Sequence, residues 1–182
     1  HEESIRVSNL LEDLFELANM DQNSFSIAKE EIQLGKFLQT IFEKTYPVFS
    51  NSGIGLKFNC KQNCFVNIDP LRFEQVVQNI LDNALKYSDR GTTTIELSKK
   101  DNICILSISD EGKGIPDDQI PYIFDRLFRV EKSRSRLTGG VGLGLSIVKE
   151  IVDAHDGELK VNSEIGVGTT VSILLKEAKY MK

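Results

Sequence analysis

TGGVGLGLSIVK, residues 138–149, joins a glycine-rich loop to the start of a helix. The glycines allow positive φ angles and a close approach to a ligand, and Leu145, Ile147 and Val148 follow at the spacing of an amphipathic helix. Exposed backbone N–H groups and the positive end of the helix dipole make such a junction an anion site, most often for phosphate. The stretch therefore predicts a phosphate-binding loop, with a flexible turn before a helix as the alternative.

Two better-known phosphate loops are excluded by spacing. The P-loop pattern G-x-x-x-x-G-K-[ST] does not occur in the sequence. In the dinucleotide pattern that Gly142 and Gly144 begin, Ile147 stands where the third glycine is required. A phosphate loop here would therefore belong to a different fold.

Composition predicts one main domain with an appendage. The chain has 182 residues, of which 40% are hydrophobic and 27% charged, enough for one good core. Its net charge of −5 argues against a general nucleic-acid-binding protein, which needs a basic surface. Cys60, Cys64 and Cys104 are odd in number and lack metal-binding spacing, so we expect buried thiols in a reducing compartment. No apolar run is long enough to span a membrane.

Residues 2–20 and 21–33 precede the main domain. Val7, Leu11, Leu14 and Ala18 follow steps of four and three, which fit a bundle or coiled-coil seam. The alternative is a helix packed on its own domain. Residues 21–33 are polar and predict a linker, so we expect the main domain to cover residues 34–177.

The first elements of that domain follow from periodicity and breakers. Residues 34–49 predict a helix that Pro47 limits. The short strand-like segments 56–60 and 65–68 predict a hairpin. Asp69 before Pro70 predicts the N-cap and first position of a helix that runs to about Tyr87.

One flank of this second helix carries an unusual polar set. Asn79, Asn83 and Lys86 are spaced by four and three residues, beside an apolar stripe. Asparagine is a poor helix former, and its amide oxygen is a hard, uncharged ligand suited to Mg²⁺. Lys86 could reach a phosphate one turn later. The alternative is a polar seam that bonds to neighbouring backbone.

Asp110 ends the second of two predicted strands, residues 93–97 and 103–109. Period two sets its carboxylate on the same face as Cys104, Leu106 and Ile108. A carboxylate against an apolar layer needs backbone N–H partners or a ligand with an amino group. The turn that follows, DEGKGIP, has two glycines against which a flat ring could lie, so adenine fits. An ordinary turn at the end of a strand is the alternative.

Residues 126–139 form a basic patch in an acidic chain. The segment contains a single acid, Glu131, and five cations: Arg126, Arg129, Lys132, Arg134 and Arg136. Because the patch leads into the glycines, it predicts a lid over polyphosphate; a solvated loop or a docking patch is the alternative. Residues 145–154 then predict a helix that ends near His155, which we interpret as a capping residue. Strands follow over 159–162 and 170–175.

Four stretches together carry a resemblance. NILDNALKY (79–87), DEGKG (110–114), FDRLFR (124–129) and GVGLGLSI (140–147) occur in the order and spacing of the N, G1, F and G2 boxes. They resemble the catalytic ATP-binding domain of bacterial sensor histidine kinases, in the wider family of DNA gyrase, Hsp90 and MutL. The resemblance covers about residues 34–176. It implies the Bergerat fold, an α/β two-layer sandwich with helices on one face of a mixed sheet.

The resemblance also implies roles for individual residues. Asn83 would ligate Mg²⁺ with Asn79 lining the same site, Lys86 would meet the phosphates, Tyr87 would lie along the nucleotide and Asp110 would accept a hydrogen bond from the adenine amine. The remaining members of the implied site shape the base pocket (Gly112, Gly114, Ile115, Thr169), close on the phosphates (Gly140, Gly142, Gly144, Leu145) or contact phosphate during transfer (Arg126, Arg129).

The phosphoacceptor motif of that family is absent. Residues 1–20 resemble the end of the second helix of a dimerisation hairpin, so we expect Mg-ATP binding without autophosphorylation and a monomeric fragment. In the full protein the resemblance implies a homodimer in the bacterial membrane, with this part in the cytoplasm and a response regulator as partner. One alternative is a hydrolytic ATPase like gyrase, although Asn79 stands where those enzymes have a general base. A degenerate docking module is the other.

Overall fold

The computed structural model describes residues 27–130 and 142–178. In chain order its elements are β1 (Glu30–Gln33), α1 (Leu34–Asn51), β2 (Gly55–Cys60), β3 (Phe65–Ile68), α2 (Pro70–Tyr87), β4 (Thr92–Lys100), β5 (Ile103–Asp110), a 3₁₀ turn (Ile120–Tyr122), α3 (Gly144–Ala154), β6 (Glu158–Glu164) and β7 (Gly168–Lys176). The predicted helix over residues 2–20 and most of the predicted lid lie outside the described residues.

Five strands form the main sheet in the order β2-β4-β5-β7-β6. β2 runs parallel to β4, and the other neighbours are antiparallel, so the sheet is mixed, as predicted. Along β5, Cys104, Leu106 and Ile108 are buried in the core beneath the helices. The alternate residues are only half-buried, and Ser107 and Ser172 bond across that opposite face at 2.9 Å. The helices therefore cover one face of the sheet.

The start of α2 was predicted correctly. Asp69 is the N-cap, and its Oδ1 accepts hydrogen bonds from the backbone N–H groups of Leu71 and Arg72, both at 3.1 Å. Pro70 occupies the first turn, where its missing N–H is not needed. The apolar stripe of the helix is buried against the sheet and α3: Phe73, Val76, Val77, Ile80 and Ala84.

The predicted hairpin of residues 56–60 and 65–68 is wrong. β2 joins the main sheet beside β4, whereas β3 pairs antiparallel with β1 in a separate two-stranded sheet. The connection between them is tied to the start of α1, because Asn63 Oδ1 accepts from Gly35 N and the Cys64 carbonyl accepts from Leu34 N, both at 2.9 Å. It therefore cannot close into a tight turn. Residues 30–33, predicted as part of a linker, form β1.

β3 also meets the far end of the described chain. Val66 forms an isolated antiparallel bridge with Glu177. The N–H of Ala178 donates to the carbonyl of Phe65 at 2.7 Å. β1 and residues 177–178 are therefore both attached to this one short strand.

Pro47 does not limit α1, which continues through it to Asn51. A proline inside a helix leaves the carbonyl four residues earlier without its partner. That carbonyl belongs to Glu43 on an exposed turn, where water can satisfy it. The helix therefore tolerates the proline.

The cysteines differ from the expectation of buried free thiols. Cys64 and Cys104 are buried and are paired as a disulfide, whereas Cys60 is free and exposed. The Cα atoms of the pair are 6.3 Å apart, a separation that a disulfide spans. Sequence spacing could not show this, because the two residues lie on β5 and on the connection before β3. In the described ranges, no helix has both the length and the apolar composition to cross a bilayer.

Candidate functional site

A cleft of about 370 Å³ opens between α2, the end of β5 and the start of α3. Most of the predicted site residues line it: Asn79, Asn83, Lys86, Tyr87, Asp110, Gly114, Ile115, Arg129, Gly142, Gly144, Leu145 and Thr169. These residues come from five separate parts of the sequence: 79–87, 110–115, 129, 142–145 and 169. The fold therefore brings the glycine loop, the Asn helix and the strand-end carboxylate to one place.

Asp110 is a half-buried carboxylate that lines the cleft. Its Oδ1 accepts a hydrogen bond from the backbone N–H of Gly112 at 2.8 Å. Burial raises the pKa of this carboxyl above its ordinary value, while backbone hydrogen bonds from Gly112 and Thr169 act to lower the pKa. These N–H donors make a partly buried acceptor tolerable. The arrangement offers a carboxylate oxygen to a ligand.

The turn after Asp110 is fixed against the β6–β7 hairpin. Gly114 has a φ of 71°, and a side chain there would collide with the carbonyl of Glu164. The N–H of Ile115 donates to Ser163 Oγ at 2.8 Å, and that oxygen lies 2.9 Å from Thr169 Oγ1. The wall of the cleft that holds Ile115 and Thr169 is therefore preorganised.

The polar flank of α2 forms the opposite side. The amide of Asn79 donates to the carbonyl of Gly144 at 3.3 Å, which joins the helix to the start of α3. Asn83 lines the cleft one turn later. Lys86 Nζ lies 5.0 Å from the ring centroid of Tyr87, within the range of a cation–π contact. This side therefore offers amide groups and a cation.

The described part of the glycine loop packs tightly against residues 127–128. Gly142 has a φ of 83°, and a Cβ on it would lie 2.6 Å from the carbonyl oxygen of Phe128. The carbonyl of Gly142 accepts from the N–H of Leu127 at 3.0 Å. Only a glycine fits at this junction. Gly140 lies outside the described residues.

Two predicted site residues do not line the cleft. Gly112 is buried beside Asp110 and supports its carboxylate through the backbone. Arg126 points instead to α3, where its Nη2 lies 3.6 Å from Glu150 Oε1. An acid on the next helix could not be paired with Arg126 from sequence spacing alone.

Nine residues that line the cleft were not predicted as site residues: Ile80, Asp82, Ala84, Lys113, Ile123, Phe128, Val130, Leu143 and Val171. Asp82 and Lys113 stand inside the stretches already singled out, so adjacency was a usable signal for them. Ile123 is buried and, like Phe128, belongs to the segment between β5 and α3. Apolar residues in a predicted basic lid were the signal that this segment also packs on the cleft.

Comparison with known sequences identifies the family. Residues 68–179 match the family described as histidine kinase-, DNA gyrase B-, and HSP90-like ATPase. The chain belongs to this family. Sensor protein kinase WalK of Staphylococcus epidermidis is 39% identical over 178 residues, which are 96% of this chain and 29% of that protein. Sensor histidine kinase WalK of Bacillus subtilis is 35% identical over 176 residues, 95% of this chain and 29% of that protein.

Solved structures confirm the fold of the family. Full-length ShkA in complex with AMPPNP superposes with a TM-score of 0.86 at 23% identity, over 98% of this chain and 37% of that chain. The mycobacterial sensor histidine kinase MprB gives a TM-score of 0.70 at 29% identity, over 82% of this chain and 98% of that chain. The predicted two-layer ATP-binding fold is thereby confirmed. The chain spans 29% of the length of each of the two WalK relatives named above.

Proposed function

We infer that this chain is the ATP-binding catalytic domain of a sensor histidine kinase. The observation that carries the proposal is the polar lining of the cleft, which combines a half-buried carboxylate, Asp110, with two amides and a lysine from α2. An adenine nucleotide has complementary groups, an amino group on the base and a chain of phosphates. The crystal structure of full-length ShkA in complex with AMPPNP supports an adenine nucleotide as the ligand of this fold.

Asp110 would recognise the base. Its carboxylate accepts a hydrogen bond from the 6-amino group of adenine, whereas guanine presents an oxygen there, so two acceptors would face each other. Sites built around a buried polar partner reject such analogues strongly. Gly112 and Gly114 leave room for the ring, Ile115 and Thr169 form the wall beside it, and Tyr87 covers it.

The phosphates would lie between α2 and the start of α3. Lys86 and Arg129 supply positive charge, and Gly140, Gly142, Gly144 and Leu145 supply backbone N–H groups at a helix N-terminus. The described residues contain no cluster of three His, Cys, Asp or Glu side chains suited to a metal. Mg²⁺, which keeps waters and substrate phosphates as ligands, fits Asn83 as its protein ligand, with Asn79 beside it. The cation would neutralise phosphate charge.

In the complete protein, the γ-phosphoryl group of ATP would pass to a histidine on a dimerisation hairpin and then to a response regulator. The names of the WalK relatives support this role, and such a protein would be a homodimer in the bacterial membrane with this domain in the cytoplasm. Fast hydrolysis is a poorer fit, because the Asn79 amide donates to Gly144 and cannot take a proton from water.

Calorimetric titration with a non-hydrolysable ATP analogue and Mg²⁺ tests the proposal. We expect the parent to bind the ATP analogue and to ignore the GTP analogue. Asp110→Asn replaces an acceptor oxygen by a donor and should weaken binding more than 10-fold, since a hydrogen bond to a charged group is lost and repulsion replaces it. Asn83→Ala should reduce the gain in affinity that Mg²⁺ provides.

Asp118→Asn is the matched control, because Asp118 is exposed and does not line the described cleft. It should bind as the parent does. No binding at millimolar ligand would contradict the proposal and favour a docking module. Equal binding by Asp110→Asn would show that Asp110 does not recognise the base.

A further inference from the structure

Two buried hydroxyl groups near the cleft, Ser88 Oγ and Thr93 Oγ1, have no hydrogen-bond partner among the described residues. Ser88 is 6% exposed and Thr93 is 0% exposed. Buried polar groups are almost always paired with protein or with ordered water, because an unpaired one is costly. Each hydroxyl is therefore expected to serve a nearby polar group.

Thr93 of β4 lies opposite Asp110 of the neighbouring strand β5. Thr94 of β4 pairs with Ser109 of β5, so the next position in this antiparallel register sets Thr93 opposite Asp110. Opposed residues project from the same face, with Cβ atoms about 4.5–5.5 Å apart. Thr93 is buried on the face of Ile95, the side of the helices. Thr93 and Asp110 are therefore neighbours on the face of the sheet that the helices cover.

Ser88 approaches the same carboxylate from the end of α2. A Cβ added to Gly112 would lie 2.7 Å from Asp110 Oδ1, 2.7 Å from the carbonyl oxygen of Tyr87 and 3.0 Å from Ser88 Oγ. These oxygens border one small space, which any residue larger than glycine would fill. The two hydroxyls therefore flank Asp110 from two different elements.

We propose that Ser88 and Thr93 are positioning residues for Asp110. Through a buried water that they share with the carboxylate, their hydroxyl groups hold it in the orientation that accepts a hydrogen bond from the adenine amine. A buried water makes about three hydrogen bonds to buried polar groups, which matches two hydroxyls and one carboxylate oxygen. This inference rests on the proposed role of Asp110 in base recognition.

Ser88 and Thr93 act on the carboxylate and not on the nucleotide. Neither is among the described residues that line the cleft, so we expect neither to contact the base directly. We therefore expect their effect to depend on the bond that Asp110 makes to the ligand, the bond to the 6-amino group. A role in stability alone would affect all nucleotides equally.

Calorimetric titration of the parent and of Thr93→Val, Ser88→Ala and Asp110→Asn with two ligands tests the proposal. One ligand is the non-hydrolysable ATP analogue, and the other is the matching purine analogue, which lacks the 6-amino group. Thr93→Val and Ser88→Ala should each weaken binding of the ATP analogue about 3- to 10-fold, as expected for one supporting hydrogen bond. Binding of the purine analogue should not change.

Two further variants complete the design. Thr93→Ser keeps the hydroxyl and should bind the ATP analogue as the parent does. Thr94→Val is the matched control, because Thr94 is half-buried on the opposite face of β4, and it should have no effect. Urea unfolding of each variant verifies that it is folded.

The possible failures are distinguishable. The inference would be overturned if Thr93→Val and Ser88→Ala weakened binding of both ligands equally. It would also be overturned if these two variants kept the parental affinity while Asp110→Asn lost affinity. Either result would leave the proposed function standing. Failure of the parent to bind the ATP analogue would overturn both.

Discussion

At the scale of single residues, most of the proposed site could be predicted from the sequence. Asn83 and Lys86 were identifiable because helical spacing sets them on one flank, and Asp110 because strand alternation sets it on the buried face. The structure shows all three along one cleft. The pairing of Arg126 with Glu150 was not predictable, since it depends on how the segment after β5 packs against α3.

Gly114 should be far less tolerant of alanine than another glycine of the same backbone conformation. Gly114→Ala combines a positive φ with a collision against the Glu164 carbonyl, and we expect it to lower the free energy of unfolding by about 2–4 kcal/mol. Gly53 has a φ of 73° with nothing within 4 Å, so Gly53→Ala should cost only the conformational strain, about 1 kcal/mol.

Urea unfolding of both glycine variants measures the difference. If the two costs are equal, the close approach of Gly114 to the β6–β7 hairpin is not the reason for this glycine, and conformation alone explains it.

At the scale of elements, local patterns predicted the elements better than their partners. Asp69 and Pro70 specified the start of α2 because capping is a local property. The error over β2 and β3 has the opposite cause: their pairing depends on β1 and β4, which are distant in sequence. The prediction that Pro47 limits α1 was wrong for a similar reason. The cost of a proline depends on whether the affected carbonyl can reach water, and this depends on burial, which the sequence does not show.

His155 links the end of α3 to the start of α2, and this link should make stability depend on pH. Its Nε2 accepts the N–H of Asp69 at 2.9 Å, and this bond requires the neutral ring, because a protonated Nε2 cannot accept; Nδ1 lies 2.7 Å from the carbonyl of Ile151, to which it donates. Burial lowers the pKa of His155 below 6.5, with Lys29 acting in the same direction and the Ile151 carbonyl, Asp69 and Asp156 opposing it.

The unfolded chain therefore binds a proton to this histidine at a higher pH than the folded chain does. The contribution of neutral His155 to the free energy of unfolding is complete above about pH 6.5 and is lost as the pH falls through the lowered pKa of the folded state. Urea unfolding between pH 7.5 and 5.5 should show falling stability in the parent and a smaller fall in His155→Gln, which has no titrating ring. Equal slopes in the two proteins would show that another group is responsible.

At the scale of the whole molecule, stability should depend on the middle of the main sheet. Leu106 is 1% exposed on the central strand β5, so Leu106→Ala should lower the free energy of unfolding by about 3–5 kcal/mol. Leu159 is only partly buried on the edge strand β6, and Leu159→Ala should cost about 1–2 kcal/mol because less surface is lost and the site can relax.

The comparison is valid if both leucine variants unfold in one transition with the parental dependence on urea concentration. A larger cost for Leu159→Ala would mean that the edge of the sheet, and not its centre, limits unfolding.

The attachment of β1 and residues 177–178 to the same short strand has a topological consequence. Ile32 and Glu177 both pair with Val66, so β1 and residue 177 lie on the two edges of β3, about two strand spacings apart, roughly 10 Å. Adjacent ends are the geometry that permits circular permutation and insertion into a host loop. Because both connections attach to one short strand, a surrounding protein could carry the domain as a pendant unit and reorient it as a whole.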